Sequence, residues 1–200
     1  MKRIVIALAA GMLLLGCSGG TEENETTENM DFIKLAAERY SVRSFQDKAI
    51  EKEKLDLILK AGQLAPTAAN LQPQKVYILK SEKALQTVDG LTRSRYGAPV
   101  VLLVTYNKDI EWNNRLEPGV TAGEQDASIV ATHMMMEAAD LGLGSVWVCG
   151  FSPSKAKEAF NIPENEVVVM MLPIGYPAED AKPSPMHTSR KPLEETTQEL

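Results

Sequence analysis

From Ala98 to Tyr106 the chain reads APVVLLVTY, nine residues without a charge. So short and apolar a run is typical of a strand buried on both faces; a half-exposed strand would alternate polar and apolar positions. Glu166 to Ile174 (EVVVMMLPI) has the same character and is expected as a second buried strand. Shorter elements surround these two. Asp31 is placed to cap a helix running to about Arg39, with Phe32, Leu35 and Ala36 on one face. Tyr40 to Gln46 reads as extended. Glu51 to Ala65 is expected as a helix, with Leu55, Ile58, Leu59 and Gly62 at helical spacing and Pro66 as its stop. Lys75 to Lys80 alternates enough for a strand, and Ser81 to Val88 reads as a short helix. Asn107 to Gly119 is polar and reads as a loop. Gln125 to Leu141 is expected as a long helix ended by Gly142 or Gly144. Ser145 to Cys149 reads as a strand. Ser152-Pro153 is a cap and first-turn pair that starts a helix running to Phe160. Gly175 to Leu200, with four prolines, reads as a tail. The sequence shows no internal repeat and no second domain boundary.

The N-terminus follows different rules. Lys2 and Arg3 precede an unbroken run of apolar residues and glycine, and then comes Leu14-Leu15-Gly16-Cys17. A basic start followed by a short apolar region is a secretory signal, too short to span a membrane. The small residue before Cys17 makes the segment resemble a bacterial lipobox, which implies acylation of Cys17 and removal of residues 1–16. Residues 17–30 are acidic and polar and lack the apolar groups a core needs. They read as a flexible tether, able to reach about 45 Å when extended. Residues 31–200 remain as the folded domain, expected outside the cytoplasm and anchored to a membrane by lipid. The net charge of −6 argues against a phosphate-backbone binder. Loss of Lys2 and Arg3 makes the mature chain still more acidic, which would hold it off an anionic bilayer surface.

Four patches carry the chemistry. The first is Arg39-Tyr40-Ser41-Val42-Arg43-Ser44-Phe45, directly after the first helix. The second is Ala65-Pro66-Thr67-Ala68-Ala69-Asn70-Leu71-Gln72-Pro73. The third is Gly142-Leu143-Gly144-Ser145-Val146-Trp147-Val148-Cys149-Gly150-Phe151. The fourth is His187-Thr188-Ser189-Arg190-Lys191-Pro192-Leu193. Their order and spacing resemble the FMN-dependent nitroreductase family over roughly residues 31–195. The resemblance implies an α+β fold, a three-layer α-β sandwich whose mixed or antiparallel central sheet is flanked by helices, in an intertwined homodimer. It implies FMN as cofactor, with NAD(P)H as a transient donor. The activity implied is ping-pong two-electron reduction of nitroaromatics, quinones or similar acceptors.

By that resemblance Arg39 and Arg190 hold the phosphate and ribityl end of FMN, and Tyr40 and Ser41 lie beside them. An arginine fork suits a dianionic phosphate. Arg43 matches the basic residue beside N1 and O2, where positive charge favours the reduced flavin. Pro66, Thr67, Ala68, Asn70 and Gln72 match a loop that lies against the flavin of the other subunit. Trp147, Val148, Cys149 and Gly150 match the strand end whose backbone N–H groups face N5. Many relatives carry glutamate at the position of Cys149, so a backbone contact carries over and a carboxylate role does not. Thr188 stands where some relatives have lysine, and Lys191 is the candidate substitute. The short Asn107–Gln125 segment lacks the long lid of relatives with one large substrate, which implies an open site.

Other signals point elsewhere. Met134, Met135 and Met136 read as core or dimer interface. His133 and His187 are far apart in sequence, so no metal-binding set is expected. The chain has no G-x-G-x-x-G, so a Rossmann nicotinamide domain is not expected. A lipid-anchored flavin-binding or electron-transfer protein without NAD(P)H turnover is the alternative function. Because Lys2-Arg3 is not a twin-arginine export signal, the chain would capture FMN after export, and a membrane-linked electron donor is expected.

Overall fold

A computed structural model describes residues 32–200 of the chain. The leader, Cys17 and the tether lie outside the described residues. The elements run α1 (Phe32–Glu38), α2 (Lys52–Leu64), β1 (Gln74–Leu79), α3 (Glu82–Leu91), β2 (Val100–Asn107), α4 (Gly123–Asp140), β3 (Gly144–Ser145), α5 (Pro153–Ala159), β4 (Glu166–Gly175) and α6 (Leu193–Thr196). The strands form one sheet in the order β1-β2-β4-β3, and all three pairings are antiparallel. The parallel pairing among the described residues is an isolated bridge from Ser41 to Ser145. The sheet is therefore antiparallel with one parallel contact at its β3 edge.

The charge-free run occupies an inner strand, β2, as its composition demands. Its side chains alternate between two cores. Val100, Leu102 and Val104 pack with Leu55 and Ile58 of α2 and with Val130 and Met134 of α4. Val101 and Leu103 pack on the opposite face with Val88 of α3, Ala156 of α5, and Val146 and Val148. Helices cover both faces, so a period-2 backbone here buries six consecutive residues, Val100 to Thr105, rather than every second one. These are the three layers implied by the resemblance. The register against β4 shifts between Val104 and Thr105, where β4 carries one extra residue, Val169.

Local signals place most element ends. Ser81 Oγ accepts the Ala84 N–H, and Ser152 Oγ accepts the Lys155 N–H, so both serines cap the helices that follow them. Three expectations need correction. The long helix α4 begins at Gly123, two residues before the expected Gln125. Its first N–H donates to Glu111 Oε2 at 3.0 Å, a cap supplied from the preceding loop. A Cβ at Gly123 would lie 2.3 Å from the Tyr106 ring, so only glycine lets the helix start this close to β2.

The expected strand Ser145–Cys149 is cut to Gly144–Ser145 with an isolated bridge at Val148. Val146 N–H donates to the Pro173 carbonyl at 3.2 Å, but Pro173 has no N–H to return. The ladder resumes at Val148, which exchanges both bonds with Met171. The segment after Gly175 is also more than a tail. Ala178 N–H donates to Ser44 O and Gln46 N–H to Tyr176 O. The chain then makes a 3-10 turn at Pro185–Thr188 and the short helix α6.

Candidate functional site

Arg39 and Tyr40 follow directly on α1. The chain then straightens, and Val42 N–H donates to Ser145 O at 3.0 Å. Val42 is buried at 1% exposure. Extended backbone sends its neighbours Ser41 and Arg43 to the other side. Gly144 makes this approach possible, because a Cβ there would fall 2.5 Å from Val42 Cγ2. The first patch is thus laid against the start of the third.

The C-terminal segment returns to the same place. Tyr40 Oη donates to Ala181 O at 3.4 Å. Ser184 Oγ accepts the Met186 N–H at 3.2 Å and starts the 3-10 turn. Arg190 follows that turn, and its guanidinium donates to the carbonyls of His187 (2.6 Å) and Ser189 (2.8 Å). The result is a cavity of about 220 Å³ lined by Arg39, Tyr40, Ser41, Arg43, Ser184, Met186, His187 and Arg190. Five residues expected from the sequence meet there: Arg39, Tyr40, Ser41, Arg43 and Arg190. Ser184, Met186 and His187 were not among the expected ligands. Ser184-Pro185 repeats the cap-proline cue of Ser152-Pro153, and that cue could have marked the turn. A second cavity of about 230 Å³ shares Arg39 and Tyr40 and runs on to Leu35, Gly142, Gly144 and Ser145.

The 220 Å³ cavity is cationic and lacks a counter-charge. No carboxylate lines it, and none of the ion pairs among the described residues involves Arg39, Arg43 or Arg190. Burial of the Arg39 guanidinium, and then the like charge of Arg190, lower its pKa from the usual value. Guanidinium groups held together without a carboxylate, in a chain with an acidic excess, suit a multiply charged anion. Lys191 is not part of this set: its Nζ lies 3.7 Å from Glu195 on the adjacent turn, and it lines neither cavity.

The second patch forms a tight loop over α4. Ala69 (φ 51°), Asn70 (φ 56°) and Gln72 (φ 51°) are all left-handed, a conformation that costs non-glycine residues on the order of 1 kcal/mol or more each. Asp126, 2% exposed, holds the loop from below by accepting the Ala68 N–H at 2.8 Å on Oδ1. Thr67 Oγ1 accepts the Gln72 N–H at 3.1 Å, and Gln72 Nε2 donates to Asn70 O at 3.2 Å. Pro66, Thr67, Ala68, Asn70 and Gln72 line neither cavity at Arg39.

Trp147, Val148, Cys149 and Gly150 also stay outside those two cavities. Val148 is buried, whereas Cys149 and Gly150 are exposed. Trp147 Nε1–H donates to Cys149 Sγ at 3.2 Å. The N–H groups of Cys149 and Gly150 find no acceptor among the described residues. Gly150 is fixed through its carbonyl, which accepts from Thr92 Oγ1 at 3.0 Å. This strand end therefore presents two free backbone donors on a rigid support.

The chain shares 36% identity with the crystal structure of a nitroreductase family protein from Clostridium difficile, with a TM-score of 0.79 over 84% of this chain and 98% of that one. An FMN-dependent nitroreductase from Clostridium difficile R20291 superposes with a TM-score of 0.63 at 26% identity, over 80% of this chain and 98% of that one. A protein of Methanothermobacter thermautotrophicus, provisionally named NADH dehydrogenase/NAD(P)H nitroreductase, is 30% identical over 76% of this chain and 80% of its own length. The nitroreductase family model matches residues 36–96 and 94–176, a span that takes in the first three patches, and the chain belongs to that family.

Proposed function

We propose that this protein is an FMN-dependent oxidoreductase that reduces nitroaromatics, quinones or similar acceptors by a two-electron ping-pong cycle. The observation that carries the reading is the cavity where Arg39, Arg43 and Arg190 meet without a carboxylate. The FMN-dependent relative supports the cofactor assignment. When bound, FMN would supply the redox chemistry, accepting hydride at N5 from a donor such as NAD(P)H and passing two electrons to the acceptor.

The protein's own part is binding and electrostatics. Arg39 and Arg190 would hold the phosphate, with Ser41 as a further polar contact. Arg43 would place positive charge where the reduced flavin is negative. The unpaired N–H groups of Cys149 and Gly150 would face N5. None of these residues needs to act as a general acid. Purification of residues 31–200, an absorbance spectrum and a donor and acceptor screen test the reading. A colourless protein that fails to bind added FMN would sink it. Flavin binding without turnover would leave the electron-transfer alternative.

Redox tuning gives a sharper test. Arg43→Gln is expected to lower the flavin potential, by about 30 mV for each ~1.4 kcal/mol of lost stabilisation. Redox titration with indicator dyes measures this, and an unchanged or raised potential removes Arg43 from its assigned place.

A homodimer completes the reading. The second-patch loop lines neither cavity in its own chain, and its strained backbone is held ready by Asp126. A cavity of about 390 Å³, with Phe32, Leu35, Ala61 and Met136 on one part and Thr132, His133, Glu137 and Asp140 on the rest, offers a mixed face for a second copy. Outside the cytoplasm such a dimer would be tethered through Cys17 and draw electrons from a membrane-linked donor. Cys17→Ser is expected to move the protein from the membrane fraction to the soluble one and to reduce whole-cell acceptor reduction. Continued membrane retention refutes the anchor. Release with undiminished reduction refutes the membrane-linked donor.

A further inference from the structure

We propose that His187 is a positioning residue for the FMN phosphate: it latches the C-terminal turn onto the end of α1 and so aims Arg190 into the cavity. The inference rests on the reading of that cavity as the phosphate site. His187 Nε2–H donates to Ala37 O at 3.0 Å. Ala37 lies in the last turn of α1, where carbonyls have no partner within the helix. The chain extends after Tyr40, so no further turn of helix supplies a donor. A side chain from 150 positions away in sequence takes that role.

The latch is set apart by what surrounds it. Beyond Ala181, every other hydrogen bond and ion pair of the C-terminal segment among the described residues stays within that segment. His187 to Ala37 is the one that reaches the body of the protein. The same imidazole meets the Tyr40 ring edge-on, with centroids 6.2 Å apart at 68°. Arg190 is exposed and is held through the His187 carbonyl at 2.6 Å. Its guanidinium is thus strapped to the latch residue itself. The opposing cation, Arg39, sits two residues past Ala37, so this hydrogen bond, with the Tyr40 contacts to Ala181 and His187, helps set the separation of the two guanidinium groups. It also resists their mutual repulsion while the cavity lacks an anion.

The test uses the soluble chain of residues 31–200 and two probes, FMN and riboflavin, which lacks the phosphate. Dissociation constants are measured by titration calorimetry for wild type, His187→Ala, His187→Phe, His187→Gln, Arg190→Ala and the His187→Ala/Arg190→Ala pair. His187→Ala is expected to weaken FMN about tenfold and to leave riboflavin unchanged. His187→Phe keeps a ring against Tyr40 without the donor and should behave like alanine. His187→Gln, whose amide can donate to Ala37 O, should recover most of the affinity. The double variant should lose no more than Arg190→Ala alone, because the latch acts through Arg190. Equal weakening of FMN and riboflavin would make His187 merely structural, and additive losses would make it an independent contact; either result overturns the latch. So does an unchanged FMN affinity in His187→Ala when Arg190→Ala is impaired. If Arg190→Ala itself leaves FMN affinity unchanged, the phosphate-site reading fails and the latch falls with it.

Discussion

Arg190→Ala is expected to weaken FMN binding by about 1.5–3 kcal/mol, the range for a hydrogen bond to a charged group, or roughly ten- to 150-fold in Kd. The size follows from the lack of a substitute. Lys191 is turned to Glu195, and the carbonyls of His187 and Ser189 hold the guanidinium without neutralising it. A phosphate would therefore lose one of its few counter-charges. FMN should be preferred strongly over FAD in the parent protein, since the guanidinium cluster suits a terminal phosphate. Fluorescence titration of apoprotein with each flavin measures both effects. An unchanged Kd for FMN removes Arg190 from the site. Removing Arg190 should also relieve Arg39 of a neighbouring like charge, so the variant should keep its thermal stability or gain some in the absence of flavin.

Glu166→Ala is expected to destabilise the fold by about 1–3 kcal/mol, because the buried Thr105 hydroxyl and the half-buried Tyr77 hydroxyl both lose the carboxylate that accepts from them. Glu166 is 6% exposed at the start of β4. Its Oε2 accepts from Tyr77 Oη and from Thr105 Oγ1, both at 2.8 Å, and Lys75 Nζ lies 3.3 Å from Oε1. These groups come from β1, β2 and β4, so one carboxylate ties three strands. Burial alone would raise its pKa, but the hydrogen bonds from Tyr77, Thr105 and Lys75 outweigh that and hold it below the usual glutamate value. A depressed folded-state pKa contributes stability that is present above the ordinary glutamate range. That stability is lost as pH falls through the lower folded value. Wild type should therefore lose stability in acid below about pH 4.5, and Glu166→Gln should lose less over the same interval. Urea denaturation from pH 3 to 7 measures the slopes, and identical slopes would exclude Glu166 as the titrating group.

Much of the architecture was legible locally. The charge-free run from Ala98 declared an inner strand, and the serines at 81 and 152 declared helix starts, because burial on both faces and N-capping each act within a few residues. The family patches were legible too, since they are contiguous. The three corrected boundaries share a cause that is not local. Glu111 caps α4 from twelve positions away, Pro173 interrupts the β3 ladder from the opposite strand, and Ser44 and Gln46 hold the segment after Gly175 from far upstream. Nothing in the residues beside Gly123 or Val146 records those partners.

The sequence by itself determined where most strands and helices lie, that an arginine stands at 39, 43 and 190, and that a helix stops at Pro66 before a loop. Whether those arginines share a cavity is a question of distance across the fold, and only the tertiary structure decided it. Val42 bonds to Ser145 beside Gly144, Ser44 takes the Ala178 N–H, and His187 reaches Ala37. Each of these is a hydrogen bond to a backbone carbonyl made once two distant segments have packed, and together they bring the separate cations to one cavity.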